Sequence, residues 1–106
     1  MDEHDWITEW EEIDSLLAES PTEALSEADD LIGRMMDARG FPLEEHEGEE
    51  LTEPELTRSF VEARRVTLQI DLGESSDPGD VVLAVEAYRE LYATLLALGP
   101  TAGTAG

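Results

Sequence analysis

The stretch from Pro78 to Leu98 constrains this chain more than any other. Val81, Val85, Tyr88, Tyr92 and Leu95 recur at a 4-3-4-3 spacing, and Ala84, Tyr88, Leu91, Leu95 and Leu98 repeat it one column over. That period describes one broad apolar face of an α-helix. Glu86, Arg89, Glu90 and Ala93 fall on the opposite side. Asp77 stands where a cap is needed, Pro78 suits the first helical position, and Gly99-Pro100 stops the helix. At about 1.5 Å per residue the helix runs roughly 30 Å. An arc this wide must be covered, so the rest of the chain has to supply matching apolar faces.

Three further segments do so. Trp6, Trp10, Ile13 and Leu17, widened by Leu16, predict a helix over 6–19, with Asp5 as its cap. Both tryptophans sit one turn apart and read as anchors to the bundle, the sharper alternative being a partner-binding ridge. Ser20-Pro21-Thr22-Glu23 has the form of a capping box with proline at the first position. The helix it opens, 21–39, turns Leu25, Ala28, Leu31, Ile32 and Met35 inward and Glu27, Asp29 and Asp30 outward. Gly40 ends it, Pro42 prevents its return, and Met35-Met36 reads as adaptable core filler. Thr52-Glu53-Pro54-Glu55 repeats the capping-box form ahead of a helix over 53–72, built on Leu56, Phe60, Ala63, Thr67 and Ile70.

A competing signal crosses that third helix. Val66, Leu68, Ile70 and Leu72 alternate with Arg65, Thr67, Gln69 and Asp71, the pattern of a half-buried strand. No second strand of matching type exists to pair with it, so the helix is preferred. The expected fold is all-α, a four-helix antiparallel bundle-like domain with helices near 6–19, 21–39, 53–72 and 78–98. Residues 1–98 form one domain with an acidic loop at 40–53, its ends pinned by Phe41, Leu43 and Leu51, and 99–106 form a disordered tail of small residues. The expected core is Trp10, Ile13, Leu17, Leu25, Ala28, Leu31, Ile32, Met35, Phe60, Ala63, Val81, Val85, Tyr88, Leu91, Tyr92 and Leu95.

Charge narrows the choice of partners. The net charge is −21, from 27 acidic and 6 basic residues, every basic one an arginine. Residues 1–55 carry −18 of it and residues 56–106 only −3. Nucleic acid and anionic membranes are polyanions, so direct binding to either is not expected. The acid-rich, lysine-free usage suits a GC-rich bacterium or a halophile. Met1-Asp2-Glu3-His4-Asp5 is acidic where a signal peptide is basic, and Glu86, Arg89 and Glu90 break the longest apolar run, so a cytoplasmic location is expected.

Chemical motifs are scarce. With no cysteine there are no disulfides, thiol nucleophiles or cysteine-based zinc sites. His4 and His46 lack the Glu-x-x-His pairing of a di-metal bundle, and the stretch from Asp71 to Val82 lacks the glycine and glutamate of an EF-hand loop. No serine sits in a nucleophile turn and no glycine loop cradles phosphate. No catalytic residue, metal ligand or cofactor is expected, and the chain is not read as an enzyme. Arg89, Arg64 and Arg65 read as ties between helices or as pairs within one.

Trp10-x-x-Ile13, the run from Pro21 through Leu31-Ile32 to Met35-Met36, and Ala87-Tyr88-Arg89-x-x-Tyr92-x-x-Leu95-Leu96 resemble a group of small actinobacterial helical proteins. These carry an Ala-Asp-x-Leu helix followed by methionine and end in a Tyr-Arg-x-x-(Phe/Tyr) helix. The resemblance covers about two thirds of the chain and implies a helical fold, with no established activity and no catalytic residue to transfer.

The functional expectation rests on the acidic half. It is a small adaptor or regulatory module that binds a basic protein partner through Glu44, Glu45, Glu47, Glu49 and Glu50. A DNA mimic or inhibitor is a special case. The alternative is a housekeeping domain whose acidity serves only solubility. A twofold homodimer is expected if Trp6, Leu98 or part of the broad fourth-helix face stays uncovered.

Overall fold

In the computed structural model, residues 3–41, 43 and 54–98 are described. They form four helices: α1 (Glu3–Glu19), α2 (Pro21–Ala38), α3 (Pro54–Asp71) and α4 (Pro78–Leu98). The fold is an all-α bundle, and no strand occurs among the described residues. The 65–72 alternation is helical to Asp71. The alternation misassigned its faces: Thr67 is buried, while Leu68 and Leu72 are exposed.

Cross-helix contacts set the directions. Arg34 pairs with Glu9 and Arg39 stacks over Trp6, so α1 and α2 run antiparallel about Ser20. Arg64–Asp29 and Ser26–Asp71 make α2 and α3 antiparallel, and α3 and α4 are antiparallel because Gln69 lies near Asp80 while Glu55 lies near Thr94. The central element is α2, which packs on all three others, and α3 packs on α4. Small residues suit α2 to this place: Ala24, Ala28 and Gly33 are buried along it. At Gly33 the ring of Phe60 comes to 3.5 Å from where a Cβ would stand. The link from α1 to α4 is made by side chains, with Trp10 stacked on Tyr92 at 4.4 Å between centroids and 10° between planes.

The helix ends divide into those set by backbone and those left without a side-chain cap. Gly40 and Gly73 adopt φ of 81° and 79°, the left-handed region that glycine enters without a Cβ clash. Behind each, two bonds close the last turn: Phe41 N–H to Met36 O and Gly40 N–H to Asp37 O, then Glu74 N–H to Gln69 O and Gly73 N–H to Ile70 O. These are two complete Schellman motifs. At the other end of α2 the capping-box expectation fails. Ser20 is at the N-cap, but at φ −141°, ψ 72° its side chain makes no cap bond. Its carbonyl still accepts from Glu23 and Ala24. Ser20 N–H bonds the Leu16 carbonyl at 2.6 Å, so this one-residue link is held by the end of α1. Asp5 is inside α1 and does not cap it. Thr52, of the second expected box, lies outside the described residues.

Fourteen of the sixteen expected core residues are buried; Val85 and Tyr92 are only half-buried at the flank of α4. Trp6, Ala24, Met36 and Ala84 complete the apolar core. The burial of Trp6 removes it from the surface that would have called for a dimer, while Leu98 stays half-exposed. Phe41 and Leu43 pack against the core as expected of loop anchors. Leu51 and the 99–106 tail lie outside the described residues.

Candidate functional site

Two polar features stand out, one inside the bundle and one on its surface. The inner one contains Asp29, whose expected place on the outer face of α2 is overturned by its burial. Asp29 is 8 % exposed and sits where α2, α3 and α4 meet. Tyr88 Oη–H donates to Asp29 Oδ2 at 2.9 Å, and Arg64 Nη2 lies 3.2 Å from Asp29 Oδ1. Thr67 Oγ1 stands 2.7 Å from Tyr88 Oη and 3.1 Å from the Ala63 carbonyl. Burial pushes the Asp29 carboxyl above its ordinary value, against the opposing pull of Tyr88 and Arg64. Burial likewise pushes the Tyr88 phenol up, with the Asp29 carboxylate adding to the shift.

Counting protons shows what this cluster can do. Thr67 and Tyr88 bring two hydroxyl protons to three contacts: Ala63 O with Thr67, Thr67 with Tyr88, and Tyr88 with Asp29. Tyr88 donates its proton to Asp29 and Thr67 donates its own to the Ala63 carbonyl, while the Arg64 guanidinium faces the other carboxylate oxygen. The cluster ties three helices at one point and favours a particular register among them. Neither surface groove described below is lined by Asp29 or Tyr88.

Sequence reasoning missed this centre because helical periodicity alone put Asp29 beside Asp30. The retrievable signal was the pair of polar residues, Thr67 and Tyr88, sitting on apolar stripes with hydroxyls that burial obliges to find partners.

The surface feature is a groove of about 620 Å³ between α1 and α2. Ile13 and Leu16 form its apolar part, and Glu9, Glu12, Glu27 and Asp30 supply carboxylates around it. Arg34 bridges two of these, pairing with Glu9 and with Asp30 at 3.0 Å. Its hydrogen bond with Glu9 is the main reason its guanidinium is held even more firmly charged than usual. Glu12 and Glu27 are exposed, and the groove keeps a negative balance. Beyond it, Arg89 ties α4 to α1 through Asp14 at 2.9 Å, the inter-helix tie the sequence offered as one reading of this arginine. Arg64 makes the corresponding tie to α2, and Arg65 lies on the exposed side of α3.

The expected partner-binding residues Glu44, Glu45, Glu47, Glu49 and Glu50, and with them His46, lie outside the described residues. Among the described residues no group of three or more His, Asp or Glu side chains is arranged to hold a metal ion, and no helix is long and apolar enough to cross a membrane. Compared with protein-family models, curated proteins and solved structures, the chain matches none.

Proposed function

We propose that this protein is a small acidic interaction module that engages a basic protein partner through the α1–α2 groove and the glutamate-rich segment after α2. One observation carries this reading: four carboxylates surround an apolar strip of Ile13 and Leu16. A partner segment bearing Arg or Lys beside one or two apolar side chains matches that chemistry. The apolar contacts supply affinity, and the surrounding field speeds encounter with a cationic partner. Glu44, Glu45, Glu47, Glu49 and Glu50 extend the same charge along the chain.

The test is affinity capture from the source cell, followed by binding kinetics with the captured protein. The reading expects a basic partner whose association slows as salt rises. Glu12→Gln with Glu27→Gln should weaken binding, and so should the five-glutamine variant of residues 44, 45, 47, 49 and 50. Glu86→Gln with Glu90→Gln on α4 should leave it unchanged. If no basic protein is captured, or the α4 pair proves the sensitive one, the acidity is better read as serving solubility alone.

A further inference from the structure

The chain's exposed large apolar side chains are distributed unevenly. Among the described residues, Leu68, Leu72, Val82, Leu83 and Leu98, each at least half exposed, all belong to α3, α4 or the turn between them. One of them, Leu83, is 64 % exposed and stands on the rim of a groove of about 380 Å³ between α3 and α4. The floor of that groove is made of small or half-buried apolar side chains: Ala63, Val66, Ala84 and Ala87. Since α2 packs on both α3 and α4, it covers one side of this helix pair, and the groove opens on the other. A protruding leucine and an alanine-floored socket therefore share one face.

We infer that this face is a self-association surface, on which a second copy of the chain docks about a twofold axis, each Leu83 seated in the other's socket. A twofold contact needs one patch to be its own complement, and knob and socket side by side meet that need. Charge selects the occupant. A second copy also carries −21 and can approach only where that charge is least. The segment 56–106, which contains nearly all of α3 and α4, holds just −3. Around the groove itself Glu62 and Asp80 are opposed by Arg65, so the arginine of one copy can face a carboxylate of the other. A cationic partner, by contrast, is drawn to the α1–α2 groove. This inference is independent of the basic-partner reading, and the two respond oppositely to salt. Screening relieves repulsion between copies, whereas it weakens the attraction of a basic protein.

Sedimentation equilibrium of the full chain, over a range of concentrations and at low and high salt, tests it. A patch of this extent predicts a reversible dimer with a dissociation constant on the order of 10 µM, at the weak end for specific contacts. The dimer should tighten as salt is added. Leu83→Asp should weaken it by at least about tenfold, a shift typical of an interface anchor. Ala87→Lys, which fills the socket while lowering the net negative charge, should weaken it too. Leu98→Asp, on the same helix but outside the groove, should leave it intact. Circular dichroism of each variant confirms that the helices persist, and if Leu83→Asp does not fold, Ala87→Lys decides. A wild-type chain that stays monomeric up to about 1 mM overturns the proposal. So does a dimer that resists both groove variants, or one that Leu98→Asp disrupts equally.

Discussion

Gly33 occupies the middle of α2, where glycine ordinarily costs helix stability, and is fully packed there. The Phe60 ring lies at ordinary van der Waals distance from an added Cβ, so a methyl fits. Gly33→Ala should stabilise the fold by about 0.5–1 kcal/mol, the usual gain from restricting the unfolded chain. Gly33→Leu should destabilise it by roughly 1–3 kcal/mol, because a longer side chain must displace Phe60. Urea denaturation of both variants checks this, and a destabilising alanine would mean that α2 and α3 sit closer than described. Asp29 provides a second test at this scale. Its carboxyl keeps a proton to higher pH in the folded chain than in the unfolded one. The folded state then binds more protons than the unfolded state above the ordinary value of 3.8. Stability from this group is therefore fully present below that value and is lost as pH rises through the raised folded value. Asp29→Asn copies the neutral carboxyl and can donate to Tyr88. Its stability relative to wild type should improve as pH rises from the ordinary value through the raised folded one, and level off above it, as read from denaturant midpoints. Parallel pH profiles for the two proteins would refute the burial argument. Tyr88→Phe, which leaves Asp29 and Thr67 without the hydroxyl, should cost about 1–3 kcal/mol.

Element boundaries rank differently in the structure than residue preference alone suggests. An N-cap serine is normally worth about 1 kcal/mol through its side-chain bond. Ser20 makes none, so Ser20→Ala should cost less than about 0.5 kcal/mol. Gly40 and Gly73 close α2 and α3 in the left-handed region, where an added Cβ is penalised. Gly40→Ala and Gly73→Ala should each cost about 1 kcal/mol or more. Thermal melts of the three variants test the order, and a Ser20→Ala loss exceeding that of Gly40→Ala would reverse it. The Arg89–Asp14 tie joins two half-exposed side chains and is worth under about 1 kcal/mol, so it orients α1 more than it stabilises it.

At the scale of the molecule, self-repulsion is the dominant unfavourable term visible in the sequence. With −18 of the −21 concentrated in the first 55 residues, screening should help the fold. The melting temperature should rise between low salt and roughly 1 M monovalent salt, where the Debye length has shrunk to about 3 Å. A flat profile, followed by calorimetry, would show the acids already compensated within the folded state. The inter-helix arginines limit the repulsion only locally: Arg34 and Arg89 bind α1, and Arg64 binds Asp29.

The helices, their order and most of their buried faces were legible in the chain because they depend on nearest-neighbour chemistry. A period of 3.6 declares a face, proline opens α2, α3 and α4, and Gly40 and Gly73 supply the conformation that closes a helix. The Val66–Leu72 alternation was outweighed for the same reason, since a lone strand has nothing to pair with. What periodicity could not show was which residue on a helix's flank would meet another helix. Asp29 and Asp30 are neighbours of identical type, yet one is buried against Tyr88 and Arg64 while the other is exposed and pairs with Arg34. The same holds for Val85 and Leu91 on α4, both expected in the core, one half-buried and one buried. Their fates depend on where α2 and α3 lie against α4, a packing choice made among residues far apart in the chain. Helical spacing determined that a bundle forms; only the tertiary arrangement decided that three helices meet at a buried carboxylate, and which side of α3 and α4 stays uncovered.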